Sequence, residues 1–200
     1  PSIEYLTEIR KLADRYNCLL IFDECTSGFR ETFGGLHLKY GVFPDICIVG
    51  KTLGNGYAIT AVLGTKEVMD ASQSSFISST FFTERIGFVA GLATLDVMEK
   101  VKSWEKITSI GKDFKIRIDS LFKKYDIPIQ ISGMDALVAF NVPHEHTLKI
   151  KTFITQEMLK EKFLTGNLFY PSIEHKENDI NDYFDSLDGV IKQLSNIIQK

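Results

Sequence analysis

The segment from residue 18 to 24 reads Cys18-Leu19-Leu20-Ile21-Phe22-Asp23-Glu24, five apolar residues followed at once by two carboxylates. An apolar strand without polar alternation is typical of a parallel sheet that is covered on both faces. A second such run, Ile46 to Val49, ends at Gly50-Lys51, and a third, Ile59 to Leu63, ends at Gly64. The sequence therefore predicts a parallel α/β sheet in this part of the chain.

Apolar residues at helical spacing predict helices that alternate with these strands and continue after them. These helices cover residues 3–16, 83–100, 104–125 and 148–163, and a closing helix includes Ile180 to Ile197. On the second of them, the predicted inward residues are Ile86, Val89, Ala90, Ala93 and Val97. Beyond residue 100 the strands are shorter and more mixed, which favours a small α+β layer. We therefore divide the chain into domains 1–100 and 101–200, with the long helix as the connector.

Composition argues against several classes of function. The chain has 200 residues and a formal net charge of −3, which does not suit a surface that binds nucleic acid. Its apolar runs are far shorter than the roughly 18 residues that cross a bilayer. Because no basic-then-apolar segment opens the given sequence, we expect no secretory signal in it. The three cysteines lie beside or inside apolar runs, as expected of buried thiols in the cytoplasm, and no Cys/His spacing predicts a metal site. Because a helix follows Pro1 at once, we expect a piece of a longer protein.

Two charged residues, Asp23 and Lys51, follow the first two predicted strands. Ligands of open α/β sheets bind at the carboxyl ends of strands, where an unpaired charge is costly to desolvate. The two charges could pair with each other or with solvent, or they could face one ligand that carries a cationic nitrogen and an electrophilic carbon. A phosphate loop is not supported, because Asp45 occupies the position of its first glycine. A lysine amine held away from water can instead form a Schiff base with an aldehyde.

Three segments of the chain together resemble the class III aminotransferases, pyridoxal-phosphate enzymes of the aspartate-aminotransferase fold: Ile21–Arg30, Phe43–Ile46 and Gly50–Gly56. The likeness is closest to glutamate-1-semialdehyde 2,1-aminomutase and its relatives, and it covers nearly the whole chain. It implies the second half of the large domain of PLP fold type I, a mostly parallel sheet with helices on both faces, plus a small α+β C-terminal domain. Since the N-terminal half of the family is missing, we expect an incomplete enzyme that binds the cofactor weakly or not at all.

The resemblance implies roles for four residues around pyridoxal 5'-phosphate (PLP). Lys51 would hold the cofactor as a Schiff base and then act as the general base. Asp23 would pair with the pyridine nitrogen and keep it protonated. Cys25 would pack on the ring face, and Thr80 would reach the phosphate of the partner's cofactor across a homodimer interface.

Two further residues each have two interpretations. Glu24 could support the site from behind Asp23 or make a loop hydrogen bond, and Arg30 could bind a substrate carboxylate or fix the loop. For Arg30 the structural role is favoured.

The resemblance implies an aminotransferase (transaminase) that moves an amino group from a small-molecule donor to a carbonyl acceptor, such as a sugar. The alternative is glutamate-1-semialdehyde 2,1-aminomutase, an isomerase. In it, one substrate is both the amino donor and the acceptor, and the product is a tetrapyrrole precursor. Because Phe81-Phe82 stand where the aminomutase has a small glycine-bearing turn, the aminotransferase is favoured. An inactive fragment or relative stays open, as does an unrelated α/β binding module with an incidental lysine.

Overall fold

The computed structural model describes residues 1–198. The chain forms two compact units, the first from Pro1 to Glu105 and the second beginning at Lys106. Each unit has its own sheet and its own cluster of buried apolar side chains. Within the described residues, no helix combines the length and the apolar character needed to cross a membrane.

The first unit contains a three-stranded sheet in the order β1-β2-β3. Strand β1 (Ile21–Glu24) runs parallel to β2 (Ile46–Val49), as the two apolar runs predict. Strand β3 (Ala61–Gly64) runs antiparallel to β2, which differs from the prediction of an all-parallel arrangement. A parallel neighbour needs a crossover of about a dozen residues or more, usually a helix, and the connection at 50–60 is too short for one.

Strand β1 is less buried than its apolar composition predicts. Leu19 and Ile21 are exposed, and within β1 only Glu24 is fully buried. Because β1 forms one edge of this sheet, fewer neighbouring side chains can cover it than cover the central strand β2. The buried cluster accordingly gathers around Cys47 and Val49 of β2, together with Leu53.

Four helices belong entirely to the first unit: α1 (Ile3–Arg15), α2 (His37–Tyr40), α3 (Lys66–Asp70) and α4 (Ile86–Val101). Helix α1 begins after Ser2, whose hydroxyl accepts a hydrogen bond from the backbone N–H of Tyr5 at 3.3 Å. The single turn of α2 has no counterpart among the predicted helices, because four residues are too few to show a helical period.

Helix α4 turns a different face inward from the predicted one. Its buried residues are Gly87, Gly91 and Met98, and a Cβ on Gly87 would lie 2.8 Å from the carbonyl oxygen of Ala58. The glycines therefore let the helix backbone approach the segment at 58–59 closely. Most residues of the predicted face are exposed: Ile86, Val89, Ala93 and Val97. A helix that is apolar around most of its circumference gives no periodic signal for the buried side.

The second unit is built on an antiparallel sheet in the order β4-β5-β6. Its strands are β4 (Gln130–Met134), β5 (Leu137–Asn141) and β6 (Leu168–Phe169). Its helices are α5 (Ser103–Lys124), which begins in the first unit, α6 (Thr147–Lys160) and α7 (Glu177–Ile198). The core of this α+β layer includes Phe114, Ile118, Phe122, Val138, Met158, Leu187, Ile191 and Leu194. Pro128, which has no N–H to donate to a neighbouring strand, precedes β4 at the edge of this sheet.

Candidate active site

Asp23 and Lys51 lie at the same end of two neighbouring parallel strands. Asp23 is paired in register with Ile48 of β2, and Lys51 follows the end of β2 at Val49 by two residues. The positive charge of Lys51 is close enough to contribute to lowering the pKa of Asp23. Both side chains are exposed, so a ligand can reach them. The structure thus brings the predicted amine and carboxylate together.

The carboxylate of Asp23 is held in its ionised form by its surroundings. Its pKa lies below the ordinary value, chiefly because the backbone N–H of Cys25 donates to Oδ1 at 3.0 Å. The thiol of Cys25 and the charge of Lys51 lower this pKa further. A carboxylate that stays ionised at neutral pH suits a ligand with a protonated nitrogen.

Lys51 opens a short 3-10 turn, Lys51–Leu53, that follows β2 directly. Its φ of 44° lies in the left-handed region, which residues with a side chain rarely adopt and which recurs at functional sites. The backbone N–H of Leu53 donates to the carbonyl of Gly50 at 3.0 Å and closes the turn. The Nζ of Lys51 donates a hydrogen bond to Oγ1 of Thr26, in the segment after β1.

Cys25 is the third predicted residue of this group. A Cβ placed on Gly50 would lie 3.5 Å from its Sγ, so the sulfur lies beside the residue that precedes Lys51. Burial raises the pKa of this thiol, and Asp23 raises it further. The thiol is therefore protonated at neutral pH and adds no negative charge between Asp23 and Lys51.

Thr80 is the fourth residue to which the resemblance assigns a role. It is exposed and follows the segment 75–79, which forms neither helix nor strand. Within residues 1–198, no hydrogen bond or ion pair joins Thr80 to Asp23, Cys25 or Lys51. Its predicted contact is with a second copy of the chain and stays a prediction.

Glu24 is buried and closes the loop that follows β1. It accepts hydrogen bonds from the backbone N–H of His37 at 2.9 Å, from Nδ1 of His37 at 2.8 Å and from the backbone N–H of Leu36. Of the two interpretations of Glu24, the loop hydrogen bond is therefore the one observed. The ligand atoms of Glu24, His37 and Cys47 lie within 4.8 Å of one another, but both carboxylate oxygens already serve as acceptors for the loop.

Arg30 also makes a hydrogen bond within the loop that follows β1. Its Nε donates to the carbonyl oxygen of Thr26 at 2.6 Å, which agrees with the structural role that the sequence favours. The contacts of Thr26 and His37 are absent from the sequence prediction. A hydroxyl in the stretch Thr26-Ser27-Gly28 and a histidine in a four-residue helix carry no spacing that would distinguish them from ordinary loop residues.

The chain belongs to the class III aminotransferases, because the profile of the family Aminotransferase class-III matches residues 1–171. Enzymes of this family use pyridoxal phosphate. A 3-aminobutyryl-CoA aminotransferase from Cloacimonas acidaminovorans is 37% identical over 134 residues, which are 66% of this chain and 32% of that protein. A glutamate-1-semialdehyde 2,1-aminomutase from Saccharolobus islandicus is 30% identical over 209 residues, with 98% and 49% covered. The chain spans about half the length of such curated relatives, or less.

Solved structures of transaminases share the fold. FumI from Sphingopyxis sp. MTA144, in its PLP internal aldimine form, matches with a TM-score of 0.92 at 19% identity, covering 100% of this chain and 49% of that one. An S-selective transaminase from Arthrobacter sp. matches with a TM-score of 0.84 at 23% identity, covering 98% and 49%. These matches confirm the predicted fold class, that of the PLP-dependent transaminases.

Proposed function

We propose that this chain supplies the amine and the ring-nitrogen partner of a pyridoxal-phosphate site in an enzyme that transfers amino groups between small molecules. One observation carries the proposal: Lys51 and Asp23 lie at the ends of adjacent parallel strands, close enough that the lysine lowers the pKa of the aspartate. In this proposal, residues 1–100 are part of the cofactor-binding large domain and residues 101–200 form the small domain with its connecting helix.

The residues of the site fit the chemical groups of this cofactor. Lys51 offers a primary amine to the aldehyde, and Asp23 offers an ionised carboxylate to the protonated ring nitrogen. Cys25 offers a small neutral side chain that can pack on the ring face without opposing its charge. Bound pyridoxal phosphate supplies an electron sink that stabilises negative charge on the substrate carbon.

Two residues of the chain would have different roles: Asp23 supplies a fixed negative charge, and Lys51 acts as a mobile base. Asp23, kept ionised by the N–H of Cys25, would hold a proton on the ring nitrogen throughout the reaction. The Nζ of Lys51 would take a proton from the α-carbon of the substrate and deliver it to C4′, the carbon of the cofactor's aldehyde group. Its long side chain allows Nζ to reach both positions while the backbone of the 3-10 turn stays in place.

A second candidate function is the aminomutase reaction, in which one molecule both gives and receives the amino group. It is supported by the Saccharolobus islandicus aminomutase, which is aligned over 98% of this chain. One feature counts against the aminomutase. Phe81 and Phe82, next to Thr80, are large, exposed aromatic residues at the position where the aminomutase has a small glycine-bearing turn. The two reactions are separated by a substrate test: the aminomutase turns over a single amino aldehyde, whereas the aminotransferase needs a separate donor and acceptor.

We further propose that the protein acts in the cytoplasm as a homodimer, in which Thr80 reaches the phosphate of the partner's cofactor. The exposed apolar side chains of α4, including Phe88, Val89 and Leu92, would supply part of the interface. Their exposure in a single copy supports this proposal, because contiguous exposed apolar surface often marks a site of association.

A titration with pyridoxal phosphate, followed by its absorbance, tests the proposed site. The unchanged chain is expected to show a saturable spectral change, at high concentration if binding is weak. Asp23→Asn is expected to weaken binding about tenfold, because a charge-assisted hydrogen bond to the ring nitrogen is lost. Lys51→Ala is expected to remove the saturable part of the spectral change and to leave only the weak reaction of the other lysines. The exposed Asp179→Asn is the matched control, and identical titrations of all four proteins would contradict the proposal.

A further inference from the structure

We propose that Thr26 is a positioning residue that holds the amine of Lys51 in place at the site. This inference rests on the proposed function, because it concerns the amine that would hold the cofactor. The observation is the side-chain hydrogen bond in which Nζ of Lys51 donates to Oγ1 of Thr26. It joins the segment after β1 to the turn after β2.

The backbone around Thr26 is fixed by hydrogen bonds of its own. The backbone N–H of Gly28 donates to the carbonyl of Glu24 at 2.8 Å, which makes a tight turn over residues 24–28. A Cβ on Gly28 would lie 2.9 Å from the same carbonyl oxygen, so the turn leaves no room for a side chain there. Arg30 donates to the carbonyl of Thr26 at 2.6 Å. The hydroxyl of Thr26 is therefore presented from a well-constrained position.

The amine of Lys51 needs such an anchor because of where it lies. Its side chain is exposed and has many rotamers, so an unanchored amine would spend little time in one position. Asp23 attracts it, yet among the residues the structure describes no ion pair within 4.0 Å joins the two. Direct pairing would occupy both groups that a ligand must meet.

A hydroxyl suits this task better than a second carboxylate would. It is neutral, so it holds the amine without pairing away its charge. It can accept a hydrogen bond from the ammonium form or donate one to the neutral amine. Thr26 can therefore keep Lys51 in place both before and after the amine gives up a proton, as a group that moves protons requires.

Side-chain NMR of Lys51 tests the inference without any cofactor. Thr26→Val keeps the shape of the side chain but removes the hydroxyl, whereas Thr26→Ser keeps the hydroxyl. The order parameter of the Lys51 Cε group is expected to fall in Thr26→Val and to stay near the original value in Thr26→Ser. Thr52→Val removes the hydroxyl next to Lys51 in sequence and serves as the matched control. Equal order parameters in Thr26→Val and the unchanged chain would overturn the inference.

A second measurement connects the anchor to the proposed function. Pyridoxal phosphate is added, sodium borohydride fixes it on the amines that it has joined, and the initial labelling rate of Lys51 is compared with that of the other lysines. Thr26→Val is expected to lower this ratio about threefold, the usual effect of one hydrogen bond, and Thr26→Ser to restore it. A ratio unchanged in Thr26→Val also overturns the inference. Absence of labelling at Lys51 in the unchanged chain overturns the proposed function instead, and the NMR result still decides the role of Thr26.

Discussion

Asp23 and Lys51 are exposed side chains, yet each is held by a residue just beyond the end of β1. The N–H of Cys25 holds the carboxylate, and the hydroxyl of Thr26 holds the amine. Cys25 and Thr26 therefore position the carboxylate of Asp23 and the amine of Lys51, although neither Cys25 nor Thr26 is itself charged. Changes at Cys25 and Thr26 are expected to act on the site through Asp23 and Lys51.

The three thiols of the chain differ in their surroundings and should differ in reactivity. Burial and the nearby charge of Glu24 raise the pKa of Cys47 to about 11 from an ordinary 9.0. A thiol whose pKa is higher by about 2 has roughly 100-fold less thiolate near pH 8, and the thiolate is the reactive form. Alkylation with iodoacetamide, followed by peptide mass spectrometry, is expected to label the exposed Cys18 first and Cys47 last. Labelling of Cys47 as fast as Cys18 in the folded protein would refute this order.

At the residue scale, the sequence predicts Asp23, Lys51 and Cys25 and misses the contacts of Thr26 and His37. Asp23 and Lys51 are predictable because each follows an apolar strand, and parallel strands bring their ends to one edge. Thr26 and His37 are not, because their contacts depend on how a loop folds back on β1. Loop conformation is set by several weak hydrogen bonds rather than by a repeating pattern of apolar residues.

At the scale of elements, Asp45, which directly precedes β2, links helix α1 to the residue that directly precedes β1. Its carboxylate accepts hydrogen bonds from the backbone N–H of Leu20 at 2.7 Å and from Arg10 at 2.8 Å. These two donors, Leu20 first, lower the pKa of Asp45 below its ordinary value of 3.8. A carboxyl whose folded-state pKa is lowered stabilises the fold above its unfolded-state pKa, and this stability is lost as the pH falls through the folded-state value.

We therefore expect Asp45→Asn to cost about 1–2 kcal/mol of unfolding free energy at pH 7. Between pH 5 and pH 2 the unchanged protein should lose the contribution of Asp45, so the difference between the two proteins should narrow. Urea unfolding at both ends of this range measures the effect. The exposed Glu8→Gln is the control. A stability difference that is the same at pH 2 and pH 7 would show that the ionised carboxylate is not responsible.

Two helical glycines of the second unit are expected to respond oppositely to the same substitution. A Cβ on Gly111 of α5 would overlap the carbonyl oxygen of Asp135, whereas a Cβ on Gly189 of α7 would meet nothing within 4 Å. Gly189→Ala is expected to stabilise the protein by up to about 1 kcal/mol, because alanine favours helix. Gly111→Ala is expected to destabilise it by roughly 1–3 kcal/mol through overpacking. Thermal unfolding of the two variants checks the pair, and a stable Gly111→Ala protein would contradict the packing described for α5.

Prediction of elements from the sequence succeeds where apolar periodicity is strong and fails where packing chooses between equivalent faces. The amphipathic helix α5 lies where apolar periodicity predicts a helix, and its apolar residues Phe114, Ile118 and Leu121 are buried. Helix α4 is placed correctly along the chain, but its buried face is formed by Gly87 and Gly91. Small residues permit close backbone approach, which a hydrophobicity pattern does not register.

At the scale of the whole molecule, the apolar surface of α4 allows a direct test of association. Leu92 of α4 exposes 65% of its surface, and Ile116 of α5 exposes 67%. If a second copy covers α4, Leu92→Lys is expected to shift the protein from dimer to monomer in sedimentation experiments, since a charge buried at an apolar interface is costly. Ile116→Lys, equally exposed, is expected to leave the oligomeric state unchanged. Equal sedimentation of Leu92→Lys and the unchanged dimer would exclude this face from the interface.

The central claim concerns the whole chain: that its fold brings one particular amine, Lys51, to a carboxylate, so that the two together receive pyridoxal phosphate. The most direct measurement is to incubate the folded protein with the cofactor, reduce it with borohydride and locate the modified lysine by peptide mapping. The account predicts that the label collects at Lys51 and that Asp23→Asn lowers it there while other lysines are unaffected. A label spread evenly over the surface lysines, with no dependence on Asp23, would contradict the account.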